Sequence, residues 1–223
     1  TVGGENSLSW NWDLRASFIK NEDETTWENN FKFAYGMIQL GGKEPQKSAD
    51  EMRVESVYKF KNDVIADPYI SLTVLSQLAT GTDYTNEPYQ NISFFFDPAY
   101  FTESLGFEYK LQKEFSTRFG VALKQTLANM TSLTSSKSEG GAEFVAKYKN
   151  KFFEKISFES TLQMFSSFKS ISGTDIYLDT ALAMNIAENI NWVFNFNVIY
   201  DKDRSDKRQI SQTLAIGIKY ILI

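Results

Sequence analysis

The sequence predicts an all-β protein, an antiparallel up-and-down transmembrane β-barrel of about twelve strands. First, apolar and polar residues alternate with a period of two along most of the 223 residues, which places them on opposite faces of extended strands. Second, the alternating segments run to roughly 10–14 residues, longer than a typical soluble strand and sufficient for a tilted membrane strand. Third, short and long connections alternate along the chain, as in outer-membrane barrels, whose tight periplasmic turns alternate with longer external loops.

Residues 174–201 show the alternation most clearly. One face of this stretch is apolar and includes Trp192 and Phe194, whereas the other face is small, polar or charged and includes Asp175 and Asp179. The connection at residues 187–189 is short, so the two halves are predicted to form an antiparallel hairpin.

Nine further strands repeat this pattern. With the two strands of the hairpin they make eleven, and a bacterial single-chain barrel normally has an even number. We therefore expect a twelfth strand, either upstream of Thr1 or at residues 92–96, and a single domain over residues 1–223. The nine strands are predicted at residues 7–19, 26–37, 51–60, 69–79, 101–111, 115–127, 141–149, 156–168 and 210–223.

The apolar faces of these strands are predicted to contact lipid. We expect them to carry no charged side chain and to place aromatic residues near the strand ends, as in the interfacial girdles of membrane barrels. The alternative is a soluble β-sandwich or a lipocalin-like barrel, because period-two alternation alone fits either class. The girdle candidates are Trp10, Trp12, Trp27, Tyr58, Tyr109, Tyr148, Trp192, Tyr200 and Tyr220.

The polar faces carry nearly balanced positive and negative side chains and are predicted to line the lumen. One interpretation is a narrow hydrophilic channel with a constriction of mixed charge. The other is a salt-bridged network that fills a small barrel and lets nothing through. The candidate lumen-lining residues are Arg15, Lys32, Arg53, Glu55, Lys59, Arg118, Lys124, Glu143, Lys147, Glu159 and Asp179.

The composition excludes much enzyme chemistry. The chain contains no Cys and no His, so it lacks a thiol nucleophile, a thiolate metal site and every Ser-His or Cys-His arrangement. The net charge of -5 gives no reason to expect nucleic acid. Residues 201–206 hold three alternating carboxylates, the spacing of a calcium loop, but neighbouring Lys and Arg residues favour a solvated hairpin loop. We expect no enzyme activity, no cofactor and no metal.

Four segments resemble a family of Bacteroidota outer-membrane barrel proteins known only as a domain of unknown function, of the DUF3078 type. They are GGENSLS at residues 3–9, KSADEMRVESVYKF at 47–60, LSQLATGTDY at 75–84 and FFFDPAYFTESLGFEYK at 94–110. The resemblance covers about Gly3 to Tyr220. It implies a bacterial outer-membrane location and a barrel fold, and it implies no activity. The chain departs from the family by ending in Ile223 rather than in an aromatic residue.

The predicted function is that of a non-catalytic outer-membrane barrel that serves as an accessory or structural subunit of a larger complex. The alternative is a narrow passive channel for small hydrophilic solutes. The expected partners are outer-membrane lipid, lipopolysaccharide and other outer-membrane proteins, the last through long loops at residues 39–49, 80–98 and 129–140. The aromatic run Phe94-Phe95-Phe96 is either a partner-binding patch or a plug folded into the lumen.

Overall fold

The computed structural model describes residues 6–62, 65–85, 88–128, 136–153, 155–188, 190–201 and 208–218. No helix in this part of the chain is long and apolar enough to cross a membrane. Its regular structure consists of strands. The strands are β1 (Ser7–Asn21), β2 (Thr25–Leu40), β3 (Gln46–Phe60), β4 (Ala66–Ser76), β5 (Gly81–Asp83), β6 (Gln90–Ser93), β7 (Ala99–Lys110), β8 (Phe115–Leu127), β9 (Lys137–Phe152), β10 (Ile156–Ser167), β11 (Ser170–Ala187), β12 (Ile190–Tyr200) and β13 (Gln209–Ile218).

Eleven of the strands form one sheet in which each strand pairs with its neighbours along the chain, in the order β1-β2-β3-β4-β7-β8-β9-β10-β11-β12-β13. The strand pairs with a described register are antiparallel. The predicted all-β, antiparallel, up-and-down fold class is therefore confirmed. The sequence predicts eleven long strands, and eleven are present in the main sheet of the described residues.

The short strand expected at residues 92–96 does not join the main sheet. Instead β6 pairs with β5 in a separate two-stranded sheet, within the connection between β4 and β7. A local hairpin partner is available only nine residues away in sequence, as in the Thr82–Asn91 pair. Closing so short a loop costs little entropy, so the segment pairs locally and does not supply a twelfth strand of the main sheet.

The strands are mostly longer than the alternation predicts. β8 begins and ends where expected, but β3 begins at Gln46 and β9 at Lys137. The expected long loop at residues 39–49 is therefore a connection of only five residues, 41–45, and that expectation is wrong. Gly41 and Gly42 make the tight turn, because their φ angles of 54° and 76° lie in the left-handed region that favours glycine.

The chain divides into two compact units, each built from separate segments. Unit 1 comprises Thr1–Lys61, Tyr69–Ser104 and Leu123–Glu139. Its first strands pair so that apolar side chains stand opposite one another, as with Leu14, Phe33 and Met52 across β1, β2 and β3. Because cross-strand neighbours on one face interact directly, these rows stabilise the apolar face of unit 1.

Unit 2 comprises Asn62–Pro68, Leu105–Ala122 and Gly140–Ile223. Its strands β10 to β13 repeat the same arrangement, since Leu182 of β11 stands opposite Phe194 of β12, which in turn stands opposite Leu214 of β13. The predicted hairpin at residues 174–201 is present with this register. The assignment of one domain to residues 1–223 stays a prediction.

Candidate functional site

The two faces of the strands are inverted relative to a soluble protein. Leu14 and Phe119 are 63% and 60% exposed, whereas Arg118 and Glu143 are 3% and 1% exposed. In soluble domains charged residues are almost never fully buried unless they are paired, and large contiguous apolar patches are rarely exposed. An apolar outer face with a polar buried face is the arrangement that a lipid-facing sheet requires.

Aromatic side chains of unit 1 gather in two clusters near opposite ends of β2. Trp10 of β1 lies 5.8 Å from Tyr35 of β2 between ring centroids. At the other end, Trp27 stands opposite Tyr58 of β3 and donates a hydrogen bond to the Ser56 hydroxyl at 2.9 Å. Trp27 and Tyr35 are eight residues apart, or about 27 Å along the strand, a span comparable to the ~25 Å apolar band of outer-membrane barrels.

The buried polar face of unit 1 is held by direct ion pairs. The Lys32 ammonium lies 2.9 Å from a Glu51 carboxylate oxygen, and the Lys59 ammonium lies 3.2 Å from Glu28. Asn30 links this network sideways, since its amide donates to Glu28 at 2.8 Å and to Glu55 at 3.2 Å. Charge-assisted bonds of this kind satisfy buried ions that would otherwise destabilise the fold.

A second polar group in unit 1 involves Lys124. This buried ammonium lies 5.1 Å from the centre of the Tyr100 ring, within cation–π range. Nearby in the chain, the hydroxyls of Tyr69 and Ser104 share a hydrogen bond of 2.8 Å. Tyrosine therefore contributes to the polar face here, a role that a search restricted to charged residues misses.

In unit 2 the buried polar face centres on Glu143. Gln163 donates to one Glu143 oxygen at 2.6 Å, and the Arg118 guanidinium lies 4.0 Å from the other oxygen. On the adjoining strands Lys147 and Asp179 stand in register on either side of the same residue, Thr161. The candidate residues of β8, β9 and β11 are thus brought to one face of the sheet.

The eleven candidate lumen-lining residues divide by burial. Lys32, Glu55, Lys59, Arg118, Lys124, Glu143 and Asp179 are buried, and Arg53 and Lys147 are half-buried. The remaining two are exposed: Arg15 pairs with Asp13 at 2.8 Å and Glu159 pairs with Lys149 at 2.9 Å. The role of the set as a lumen lining stays a prediction.

Three residues with uncharged hydroxyl groups also lie on the polar face. They do not belong to the predicted set of lumen-lining residues. Ser71, Thr73 and Thr126 are buried, and their side-chain oxygens have no hydrogen-bond partner among the described residues. The signal that could have found them is strand parity, because they alternate with exposed Ile70, Leu72 and Leu127. Buried hydroxyls are normally hydrogen-bonded to protein or to water.

The expectation that the apolar faces carry no charged side chain is wrong at Glu103. Glu103 has the same strand parity as exposed Leu105 and Phe107, and it accepts hydrogen bonds from the Gln125 amide at 3.3 and 3.4 Å. Gln125 in turn shares its parity with exposed Leu123. The two polar side chains stabilise each other across β7 and β8, which is why the alternation tolerates them.

The connection between β4 and β7 is fastened to β3 near its beginning, and its two ends are joined to each other. The Asp50 carboxylate accepts hydrogen bonds from the backbone amides of Leu78 at 2.6 Å and Ala79 at 3.2 Å, and it pairs with Lys47 at 2.5 Å. Gln77, the first residue of the connection, donates its side-chain amide to the carbonyl oxygens of Phe94 and Asp97 near its end. Both ends of this connection, at residues 77–79 and 94–97, are therefore held by hydrogen bonds.

Removing the Asp50 carboxylate should release this connection. We expect Asp50→Ala to increase protease cleavage within residues 83–92 by about tenfold or more, since two backbone amides and the Lys47 ammonium lose their carboxylate partner at a cost of ~1–3 kcal/mol. Limited proteolysis with chymotrypsin, read by mass spectrometry, measures the rate. The matched control is Asp83→Ala, because the Asp83 carboxylate accepts local hydrogen bonds from Thr85, at 2.8 Å from the backbone amide, and those bonds lower its pKa. Equal cleavage of the two variants would contradict the fastening role.

The aromatic run in this connection is partly exposed. Phe95 is 66% exposed, and Phe96 lies 6.1 Å from Phe101 of β7 between ring centroids. Phe101 has the parity of the exposed Leu105, so the run extends the apolar outer face. The partner-binding and the plug interpretations of this run both stay predictions. The charged loop predicted at residues 201–206 lies, beyond Asp201, outside the described residues.

The chain is similar to one family model and to a solved structure. No curated protein matches it. Among solved structures it is similar to the translocator domain of autotransporter NalP from Neisseria meningitidis, with 9% sequence identity, a TM-score of 0.42, and coverage of 97% of this chain and 80% of that chain. Residues 1–81 match the family model described as a protein of unknown function, DUF3078. Beyond residue 81 the family resemblance stays a prediction, and over residues 1–81 the predicted resemblance to the DUF3078 family is confirmed.

Proposed function

We propose that this chain is an integral outer-membrane β-barrel protein without catalytic activity, and that it serves as an accessory subunit of a larger outer-membrane complex. The observation that carries the proposal is the inversion of the two strand faces. Charged residues such as Glu143 and Arg118 are buried, while apolar residues such as Leu14 and Phe119 are exposed. A sheet with these faces is stable where its exposed side meets hydrocarbon.

The ion pairs of the polar face support a structural role. Two ion pairs join its strands: Lys32 pairs with Glu51 at 2.9 Å, and Lys59 pairs with Glu28 at 3.2 Å. Side chains that pair directly fill the space between strands and leave few charges available to a passing solute. The absence of Cys and His from the sequence removes thiol nucleophiles, the usual general base and the commonest metal ligand.

Membrane extraction tests the proposal. We expect the protein in the outer-membrane fraction, resistant to carbonate, heat-modifiable on gels, and extracted by mild detergent in a particle whose protein mass is well above 25.5 kDa. The partner should co-purify at fixed stoichiometry. A protein that stays in the aqueous fraction would contradict the membrane location, and a lone monomer would contradict the subunit role.

A narrow passive channel is the second candidate, and the unpaired hydroxyls favour it. Ser71, Thr73 and Thr126 are buried without a hydrogen-bond partner among the described residues, and water along the polar face would satisfy them. A channel needs such a hydrated path. The proposed subunit role predicts no conductance steps above background in planar bilayers, whereas reproducible steps that change in size with Lys124→Gln would establish the channel.

A further inference from the structure

We call one surface of unit 1 the Glu103 patch. It comprises Glu103, Gln125, Phe95, Phe96 and Phe101. Its centre is the carboxylate–amide pair of Glu103 and Gln125, at 3.3 and 3.4 Å. Its surroundings within unit 1 are exposed and apolar, with Phe95 66% and Leu123 42% exposed. The patch therefore places one carboxylate in a surface that otherwise suits lipid.

This carboxylate has unused hydrogen-bonding capacity. A carboxylate offers about four acceptor positions, and the Gln125 amide supplies one donor group at long distances. Among the described residues, none of the ion pairs includes Glu103. Ionisable groups on a lipid-facing surface are costly, so they are rare and usually paired with an opposite charge.

The aromatic part of the patch is held in place by the fastened connection between β4 and β7. The Phe96 amide donates to the Gln77 carbonyl at 3.1 Å, and Phe96 adopts a φ of 57°, which is uncommon for a bulky residue. Phe95 lies 6.2 Å from Phe96 between ring centroids. A rigid aromatic surface loses little conformational entropy on binding and is typical of interface centres.

The partner must present a positively charged group at the same membrane depth as Glu103. A second copy related by two-fold symmetry through this patch would bring Glu103 towards its own counterpart, and like charges repel. A lipid headgroup amine would have to pass Phe101 and Phe96, which lie between Glu103 and the strand ends on the same face. Glu103 is the fifth residue of β7, about 13 Å along the strand from its beginning.

We propose that the Glu103 patch is the docking site of a membrane-embedded partner protein that presents a lysine or arginine to Glu103. This inference rests on the proposed function as an accessory subunit and names the surface that the complex uses. The partner cation would supply the donors that the carboxylate lacks, and the three phenylalanines would pack against apolar side chains around it.

Site-specific crosslinking in native membranes tests the location. A photoreactive benzoylphenylalanine at Leu123 should capture the partner, and the same group at Leu14 on β1 should not, because β1 is separated from β7 by three strands in the sheet order. The captured segment should contain a lysine or arginine. Capture of lipid alone or of a second copy alone at Leu123 would overturn the inference.

Charge exchange tests the chemistry. Glu103→Gln and Glu103→Lys should reduce capture and co-purification by about tenfold or more, while the heat-modifiable band shows that the barrel remains folded. Glu159→Gln, which removes an exposed carboxylate elsewhere, should change neither. Replacing the captured cation with Glu should restore capture by Glu103→Lys.

The outcomes separate this inference from the function on which it rests. If the wild-type protein co-purifies with its partner and Glu103→Lys does so equally, the docking site is wrong and the subunit role stands. If the wild-type protein is extracted alone, the subunit role fails and the docking site with it.

Discussion

An arginine at Val121 is expected to impair insertion into lipid and to destabilise the inserted protein by about 2–4 kcal/mol. Val121 is the middle residue of β8 and is 52% exposed. If the exposed face contacts lipid, the arginine must be accommodated near the bilayer midplane, where its charge is most costly. Phe194→Arg on β12 is expected to have a similar effect. Folding into phospholipid vesicles, followed by urea titration and by the heat-modifiable gel shift, measures both variants.

The matched control for this prediction is Thr117→Arg. Thr117 has the same strand parity as Val121 but lies two residues from the beginning of β8, where an arginine reaches the interface and costs only about 0–1 kcal/mol. A depth-dependent difference between the two variants is specific to a bilayer. Near-wild-type stability of both would show that this face is in water, because exposed substitutions in soluble proteins usually change stability by less than about 0.5 kcal/mol.

Glu51→Gln is expected to destabilise the protein by about 3–5 kcal/mol. The substitution keeps the shape of the side chain but removes the charge that faces the Lys32 ammonium at 2.9 Å. Both side chains are nearly inaccessible, at 7% and 11% exposure, and removing one charge of a buried ion pair is strongly destabilising, by about 3–5 kcal/mol. The double variant Lys32→Met/Glu51→Leu should be less damaging than the single one, because it removes both charges.

Glu159→Gln is the control for this second prediction. Its ion pair with Lys149 has the same distance of 2.9 Å, but the side chains are 74% and 49% exposed, so its loss should cost about 0–1 kcal/mol. Urea titration in detergent micelles compares the variants. If Glu51→Gln is as mild as the control, water reaches Lys32, and the polar face is hydrated as the channel candidate requires.

The alternation of side chains could be read from the sequence because it depends only on the strand itself. Successive residues of a strand point to opposite faces whatever the neighbouring strand is. The faces of Leu14, Phe119, Arg118 and Glu143 were therefore predictable before any pairing was known. The same rule places Glu103 on the apolar face, and applying it to every residue of β7 would have revealed this charge.

The partners of the polar side chains depended on the tertiary structure. Gln163 reaches Glu143 because β9 and β10 pair in one register, and a shift of one residue would turn these side chains to opposite faces. The exposure of Arg15 differs from that of Lys32 because β1 has a sheet neighbour on one side only, among the described residues. Neither the register nor the place of a strand in the sheet is a property of one segment.

The sequence by itself determined the fold class, the polarity of the two faces and the absence of Cys and His chemistry. The tertiary structure decided which charges pair, how Asp50 and Gln77 fasten the connection between β4 and β7, and where the Glu103 patch lies. The physical reason is the range of the interactions. A period of two is set by the local backbone, whereas an ion pair or a fastened loop requires residues that are distant in sequence to be brought within about 3 Å.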